Sequence, residues 1–332
     1  AAMALKSRVT LYMASPLFSE DSEDKWKQAA EAAYDIIKQK TDLGLDLVPY
    51  PQIFNDVNNQ KAEVILYRPT GESGDFEKAN FPIGVEGGKT STCPTQNLME
   101  AYDMKDGTPF VWNNQSNPYD NRDPRMKYTI VCNEMKWPVD PVEIWEGGTN
   151  GLPLQNATTT GYYLKKYVNN TISFEAGSTV TKKQHNWVLF RYGEILLNYA
   201  EAMINAFHDP NYKDAVYNMS AREAVNQIRG RTNISLPGFP SDITEKDFVK
   251  RLKNERRVEL AFEGHRFWDV RRWKELGQTA NIYGVKITKN NEVISYEKFL
   301  LETRAVTDNM YFYPIPNTER FKNPNLGQNP GW

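Results

Sequence analysis

The sequence predicts a mainly α protein in which helical hairpins stack as an α-solenoid against an irregular lobe of loops and short strands. Three observations carry this. Apolar residues recur at helical spacing in segments of roughly 15 residues, the segments come in pairs, and one Gly- and Pro-rich span interrupts them. Small residues and tyrosines on the packed faces make the hairpins tetratricopeptide-like, although the strict repeat consensus is absent. A coiled coil would need fewer loops.

Residues 1–14 read as a helix ended by Ser15-Pro16, with Ala2, Leu5, Val9 and Tyr12 as its apolar face. No capping residue precedes it, and the opening carries no starting Met, signal peptide or lipid-anchor cysteine, so a preceding segment is expected. Trp26, Ala30, Ala33 and Ile37 mark a second helix over 24–40. Two further pairs follow: 189–206 with 213–231, and 244–263 with 265–277. Leu189, Tyr192, Leu196, Tyr199 and Met203 form one inward stripe, and Tyr217, Ala221, Ala224 and Ile228 another. The chain thus divides into a hairpin (1–40), an inserted lobe (41–188), further hairpins (189–277) and an irregular ending (278–332), all within one integrated domain.

Inside the lobe only 95–104 looks helical, with Thr95 as its N-cap. Strand signals fall at 63–67, 126–132 and 162–168, and weaker ones at 282–288 and 311–313. Loops on a rigid scaffold are where binding residues concentrate, so the lobe is the expected ligand side.

The densest stretch is NERRVELAFEGHRFWDVRRW (254–273). Phe248, Leu252, Glu255, Glu259 and Phe262 share one helical stripe, so two glutamates lie on an apolar face and need partners. Arg256, Arg257, Arg266, Arg271 and Arg272 are the nearest cations. Gly264 reads as a left-handed cap between two helices, with Asp269 and Trp273 four apart on the second. Glu255, Glu259 and His265 could be taken as an acid–base or metal constellation, but so many arginines would hold the acids ionised and repel a divalent cation. A structural corner of Glu255, Glu259, Arg266, Asp269, Arg271 and Trp273 is the reading that follows.

Lys and Arg total 40 against 42 Asp and Glu, a net charge of −2, so overall charge indicates no nucleic-acid partner. No apolar run approaches the ~20 residues of a membrane span. Cys93 and Cys132 lack metal-site spacing, and whether they form a bridge is left open. His185 and His208 read as surface residues. No phosphate loop, nucleophile elbow or HExxH motif is present. No catalytic residue, cofactor or metal is expected.

Seven segments, in order, resemble the SusD/RagB-like family of outer-surface glycan-capture lipoproteins of Bacteroidota: PTQNLMEAYDMKDG (94–107), NRDPRMKYTIV (121–131), TGYYLKKYV (160–168), RYGEILLNYAEAMINA (191–206), AVNQIRGRT (224–232), the 254–273 stretch, and YPIPNTERFKNPNLGQNPGW (313–332). The resemblance implies four tetratricopeptide-like hairpins beside an irregular lobe, non-catalytic capture of an oligosaccharide or polysaccharide, and partnership with a SusC-like TonB-dependent transporter. It also implies location on the outer surface of the outer membrane, with membrane contact only through an N-terminal lipid anchor absent from this chain. Family members usually run longer, and upstream loops commonly contribute to glycan binding.

Sugars offer C–H faces to aromatic rings and hydroxyls to polar side chains. Loop position and side-chain type therefore select Phe76, Phe81, Trp112, Trp137 and Trp145, helped by Arg68 or Asn113, as glycan-binding candidates. Two other readings compete. A peptide-binding solenoid adaptor would use a helical face. A glycoside hydrolase would need two carboxylates, for which Asp120 and Asp123 are the nearest pair, though Arg122 and Arg125 flank them.

Overall fold

A computed structural model describes residues 1–20, 22–113, 117–175 and 181–332. In chain order its helices are α1 (Ala2–Ala14), α2 (Glu23–Ile37), α3 (Asp75–Asn80), α4 (Gln96–Met99), α5 (Met126–Thr129), α6 (Tyr192–Phe207), α7 (Ala221–Arg229), α8 (Glu245–Glu259), α9 (His265–Arg272) and α10 (Asn317–Lys322). The strands are β1 (Val64–Ser73), β2 (Ile130–Val131), β3 (Tyr163–Leu164), β4 (Lys183–Arg191), β5 (Asn281–Asn290) and β6 (Val293–Thr303), which pair antiparallel as β1–β4, β2–β3 and β5–β6.

Helix α6 is the hub, buried almost all round and touching α1, α2, α7 and α8. Its apolar residues run nearly all round, and the polar ones between them, Glu194, Asn198 and Glu201, are each paired with a neighbouring element, so the helix can sit at the centre. Its neighbours start where their caps say they should. Ser22 accepts the Lys25 N–H at the head of α2, and Ser220 with Glu223 forms a full capping box on α7. Thr244 accepts the Asp247 N–H on α8. Ser220 displaces the start expected for α7 near residue 213, because the Asp214 carboxylate first takes the N–H groups of Val216 and Tyr217 in a turn.

The inward face of α1 also differs from expectation. Ala4, Ser7, Leu11 and Ala14 are buried, while Leu5 and Val9 are about half exposed (52% and 49%). Polar pairing orients the helix: Arg8 reaches Glu194 of α6 at 2.6 Å, and Ser7 Oγ accepts from Asn198 Nδ2 at 3.2 Å. Small residues at the contact allow that close approach.

The segment from 183 to 191 is strand rather than the start of a helix. Val188 and Phe190 point in and Leu189 points out, the alternation of a half-buried strand. It pairs with a β1 longer than the sequence suggested, whose register shifts between Pro69 and Glu72, where proline offers no N–H. At 126–132 a helical turn precedes the two residues of β2, and the helix expected over 95–104 ends at Met99, although Thr95 does cap it by accepting the Leu98 N–H. β6 was not anticipated. It returns through Asn291 and Glu292, both at positive φ (46° and 66°), as a two-residue hairpin turn requires. The strand signal at 311–313 overlaps a 3-10 turn, Asp308–Tyr311.

Three apolar cores result. One lies among the helices around Leu196, Tyr199 and Met203, and one inside the lobe around Ile130, Trp137 and Tyr162. A smaller one, with Tyr50, Phe54 and Tyr167, sits under the β1–β4 ribbon.

Candidate functional site

The lobe is locked to the helices by a buried ion network along the Glu255–Glu259 stripe of α8. Arg125 reaches Asp123 (2.7 Å), Glu255 (2.5 Å) and Glu259 (2.9 Å). Arg191 joins Glu63, Glu259 and Glu263 at 2.7–2.8 Å, and Arg231 joins Glu63 and Glu259. Arg229 takes Glu255 at 2.8 Å. Burial alone would raise the Glu259 carboxyl, but Arg231, Arg191 and Arg125 outweigh it and hold it far below the usual carboxylate range. Glu263, buried against Arg191 and Lys166, is lowered to about 2.

The glutamates' partners are therefore distant in sequence, not the neighbouring arginines. Arg256 and Arg272 instead share Asp269 on the solenoid side, and Arg272 with Trp273 Nε1 holds Glu201. Arg266 and Arg271 leave the expected corner. Arg266 donates to Gln278, and Arg271 stacks over Phe267 at 3.5 Å and bonds its carbonyl. Gly264 does adopt the left-handed conformation (φ 81°). His265 lies near Glu194 and Arg256, and burial holds it neutral by lowering it to about 4.

Glu263 gives a pH prediction. Its folded value lies below the ordinary 4.5, so its contribution is fully present above that pH and is lost as pH falls toward 2. By pH 3 roughly 2 kcal/mol should have gone. Urea unfolding at pH 7 and pH 3 should show this loss, and Glu263→Gln should flatten it; an equally steep pH dependence in that variant would contradict the assignment.

The seven glycan candidates do not converge. Phe81 and Trp137 are each 3% exposed and pack edge to face in the lobe core at 5.8 Å, so neither can offer a face to a sugar. The lobe needed large apolar rings for its own core, and these two fill it. Phe76 is half-buried against His185 and Trp187 (5.2 and 4.9 Å), and Arg68, exposed on β1, pairs in register with Trp187. Trp112 is half-buried 6.4 Å from Phe110, next to exposed Asn113. Trp145 is half-buried with Lys289 4.6 Å over its ring. Of the two acids considered for hydrolysis, Asp123 is buried in its ion pair with Arg125, and Asp120 is exposed. His185 is buried rather than superficial, stacked on Trp187 with Nε2 3.0 Å from Glu77; His208 caps α6 on the surface. Both cysteines are free thiols, and burial pushes Cys132 up to about 12.

What the lobe does form is an open cleft of about 440 Å³ beside the third core. Tyr128 supplies a half-buried ring, while Phe54 and Tyr167 line the wall at only 8% exposure each. Asn55, Asn169 and Asn170 supply amides, and Lys165, Lys183 and His185 also line it. The amides of Asn55 and Asn170 make no side-chain hydrogen bond among the described residues. Asp56, the one carboxylate on the wall, faces Lys183 at 3.5 Å. Tyr167 stands at φ 68°, and directly after it Asn169 Oδ1 accepts from Thr171 N–H, turning the chain along the rim. The asparagine pair after YYLKKYV was the available sequence signal, masked by the greater size of the tryptophans.

Stacked helical hairpins bearing a loop-built lobe are the fold of SusD-like proteins. The sequence profile of the SusD family matches residues 52–332, and the chain belongs to that family. A SusD-like protein of Bacteroides fragilis superimposes with a TM-score of 0.78 at 26% identity, covering 100% of this chain and 65% of that one. A SusD-like carbohydrate binding protein of the same species gives 0.77 at 24%, covering 98% and 64%. SusD-like protein P2 of Formosa agariphila is 29% identical over 163 residues, 47% of this chain and 28% of the relative. The chain thus spans less than two thirds of the length of these relatives. No helix among the described residues is long and apolar enough to cross a membrane.

Proposed function

We propose that this chain belongs to a cell-surface glycan-binding protein that captures oligosaccharide without cleaving it and delivers it to a SusC-like TonB-dependent transporter of the outer membrane. The observation that carries the reading is the cleft: the Tyr128 ring for a sugar face beside the Asn55 and Asn170 amides, which make no side-chain hydrogen bond among the described residues. A shallow site of this kind binds weakly, which suits hand-over. Hydrolysis needs two carboxylates about 5–10 Å apart across the substrate, and this wall carries one, turned toward a lysine. A relative described as carbohydrate binding supports the ligand class. Lipid anchoring and the transporter partner are carried by the family kinship alone.

Affinity electrophoresis against a polysaccharide panel tests the cleft. Tyr128→Ala and Asn170→Ala should each weaken retardation at least about tenfold, with thermal midpoints within a few degrees of the parent. Trp112→Ala and Trp145→Ala are the comparison. Retention lost in either of those and kept in Tyr128→Ala would move the site to that ring. New reducing ends released from the same polysaccharides would overturn the non-catalytic reading.

A further inference from the structure

A second cleft, of about 490 Å³, opens on the side of α8 away from Glu255 and Glu259, between that helix, the 100–110 loop, the start of α9 and the turn Leu276–Thr279. Its charge is unbalanced. The acids on its wall are already engaged: Glu100 with Lys298 at 2.8 Å, Asp103 with Arg229 at 3.3 Å, and Glu275 with Lys253. That leaves Arg257, Arg266, Lys246 and Lys250 without a carboxylate partner among the described residues.

Arg257 is the unusual member. Half-buried on α8 and reaching the cleft, its guanidinium makes no hydrogen bond or ion pair among the described residues. Burial and the facing Arg266 cation pull it down to about 10. Among the described residues the Arg266 guanidinium donates only to the Gln278 side-chain oxygen, at 2.7 Å. Both guanidiniums are half-buried at the open cleft, and two cations facing one another with no carboxylate between them repel. The other arginines buried along α8 all found carboxylates, so this pair stands apart from the pattern of the fold. A planar fork of donors matches a carboxylate or a sulfate oxygen pair, and an oxyanion between the two would relieve their repulsion and accept from both. Phe110 lies on the same wall, its ring held by Arg122 stacked at 3.7 Å, and Trp112 stands 6.4 Å further on. An apolar flank beside a cationic pocket suits a ring that carries an acid, more than a free inorganic ion.

We propose that Arg257 and Arg266 bind the acidic group of a charged sugar residue, a carboxylate or sulfate ester, in this cleft, with Phe110 against the sugar ring. This rests on the glycan-binding reading of the chain and narrows it to acidic glycans. It differs from the ring-and-amide cleft, which makes no demand on charge.

The test is calorimetric titration of the full 332-residue chain with a sulfated polysaccharide, a polyuronate, a neutral polysaccharide and inorganic sulfate. Binding of at least one acidic polymer is expected, falling at least about tenfold in Arg257→Gln and Arg266→Gln, and weakening with salt. The two polymers tell sulfate ester from carboxylate. Lys6→Gln, on the exposed face of α1, should change nothing, and the thermal midpoint of Arg257→Gln should not fall, because no carboxylate is orphaned. Lys250→Gln, exposed on the rim, keeps the test available should an arginine variant fail to fold. Neutral polysaccharide binding with neither acidic polymer bound would overturn this proposal and leave capture standing; no binding of any polysaccharide would overturn both. Acidic binding untouched by all three cleft substitutions, or inorganic sulfate binding as tightly as the polymers, would also overturn it.

Discussion

Glu259→Ala is expected to lower the unfolding free energy by about 3–5 kcal/mol, the cost of leaving a buried charge unpaired. Glu259 is 0% exposed and touches Arg125, Arg191 and Arg231, which come from the lobe, from β4 and from the segment after α7. Removing it therefore leaves three guanidiniums with one carboxylate fewer at the junction that sets the lobe on the helices. Glu259→Gln keeps the volume and a carbonyl acceptor, so it should cost less than alanine while still losing the ion pairs. Denaturant unfolding monitored by tryptophan fluorescence and by far-ultraviolet circular dichroism measures both. A loss below about 1 kcal/mol for alanine is what a solvated surface pair gives, and would mean that the junction does not depend on this residue.

Trp137→Ala should cost a similar amount, about 3–5 kcal/mol, through the cavity left in the lobe core. Its ring packs edge-on to Phe81 at 5.8 Å, and its indole N–H has no hydrogen-bond partner among the described residues. Trp137→Phe should then be much milder, because the lost volume is offset by removing an unsatisfied donor. The pair of variants separates core from binding surface. A Trp137→Ala protein that unfolds at the parent's midpoint but no longer binds polysaccharide would return this ring to the site.

The helical part of the fold was readable because its longer helices announced themselves by an apolar stripe, and three of them also carry a side-chain cap. Ser22, Ser220 and Thr244 begin helices where their side chains accept an N–H. Where one signal was missing the reading drifted. Nothing caps α1, and its inward face is set by Arg8–Glu194 and Ser7–Asn198, contacts to a helix some 190 residues away that no local pattern encodes. The corner taught the same lesson. That Glu255 and Glu259 need cations followed from their stripe, but which cations answer was decided by tertiary packing, which brought Arg125, Arg191, Arg229 and Arg231 closer than the adjacent arginines.

The site was the least legible part. A large ring in a Gly- and Pro-rich loop is equally suited to filling a core and to meeting a ligand, and sequence carries no term that separates the two. Phe81 and Trp137 went to the core, while Tyr128 and the Asn169–Asn170 pair, which attract less notice, reached the cleft wall. Nor could spacing have shown that Arg257 and Arg266, nine positions apart, would face one another across a helix break.

The central claim is that a lobe pinned to a helical shelf by buried ion pairs presents an open ring-and-amide cleft to sugar. A crystal structure of the chain soaked with an oligosaccharide chosen from the electrophoresis panel tests it most directly. The account predicts intact sugar with a ring face on Tyr128 and hydroxyls within hydrogen-bond distance of Asn55 or Asn170. A cleaved product, or sugar bound on the outer face of the helices with this cleft empty, would contradict it.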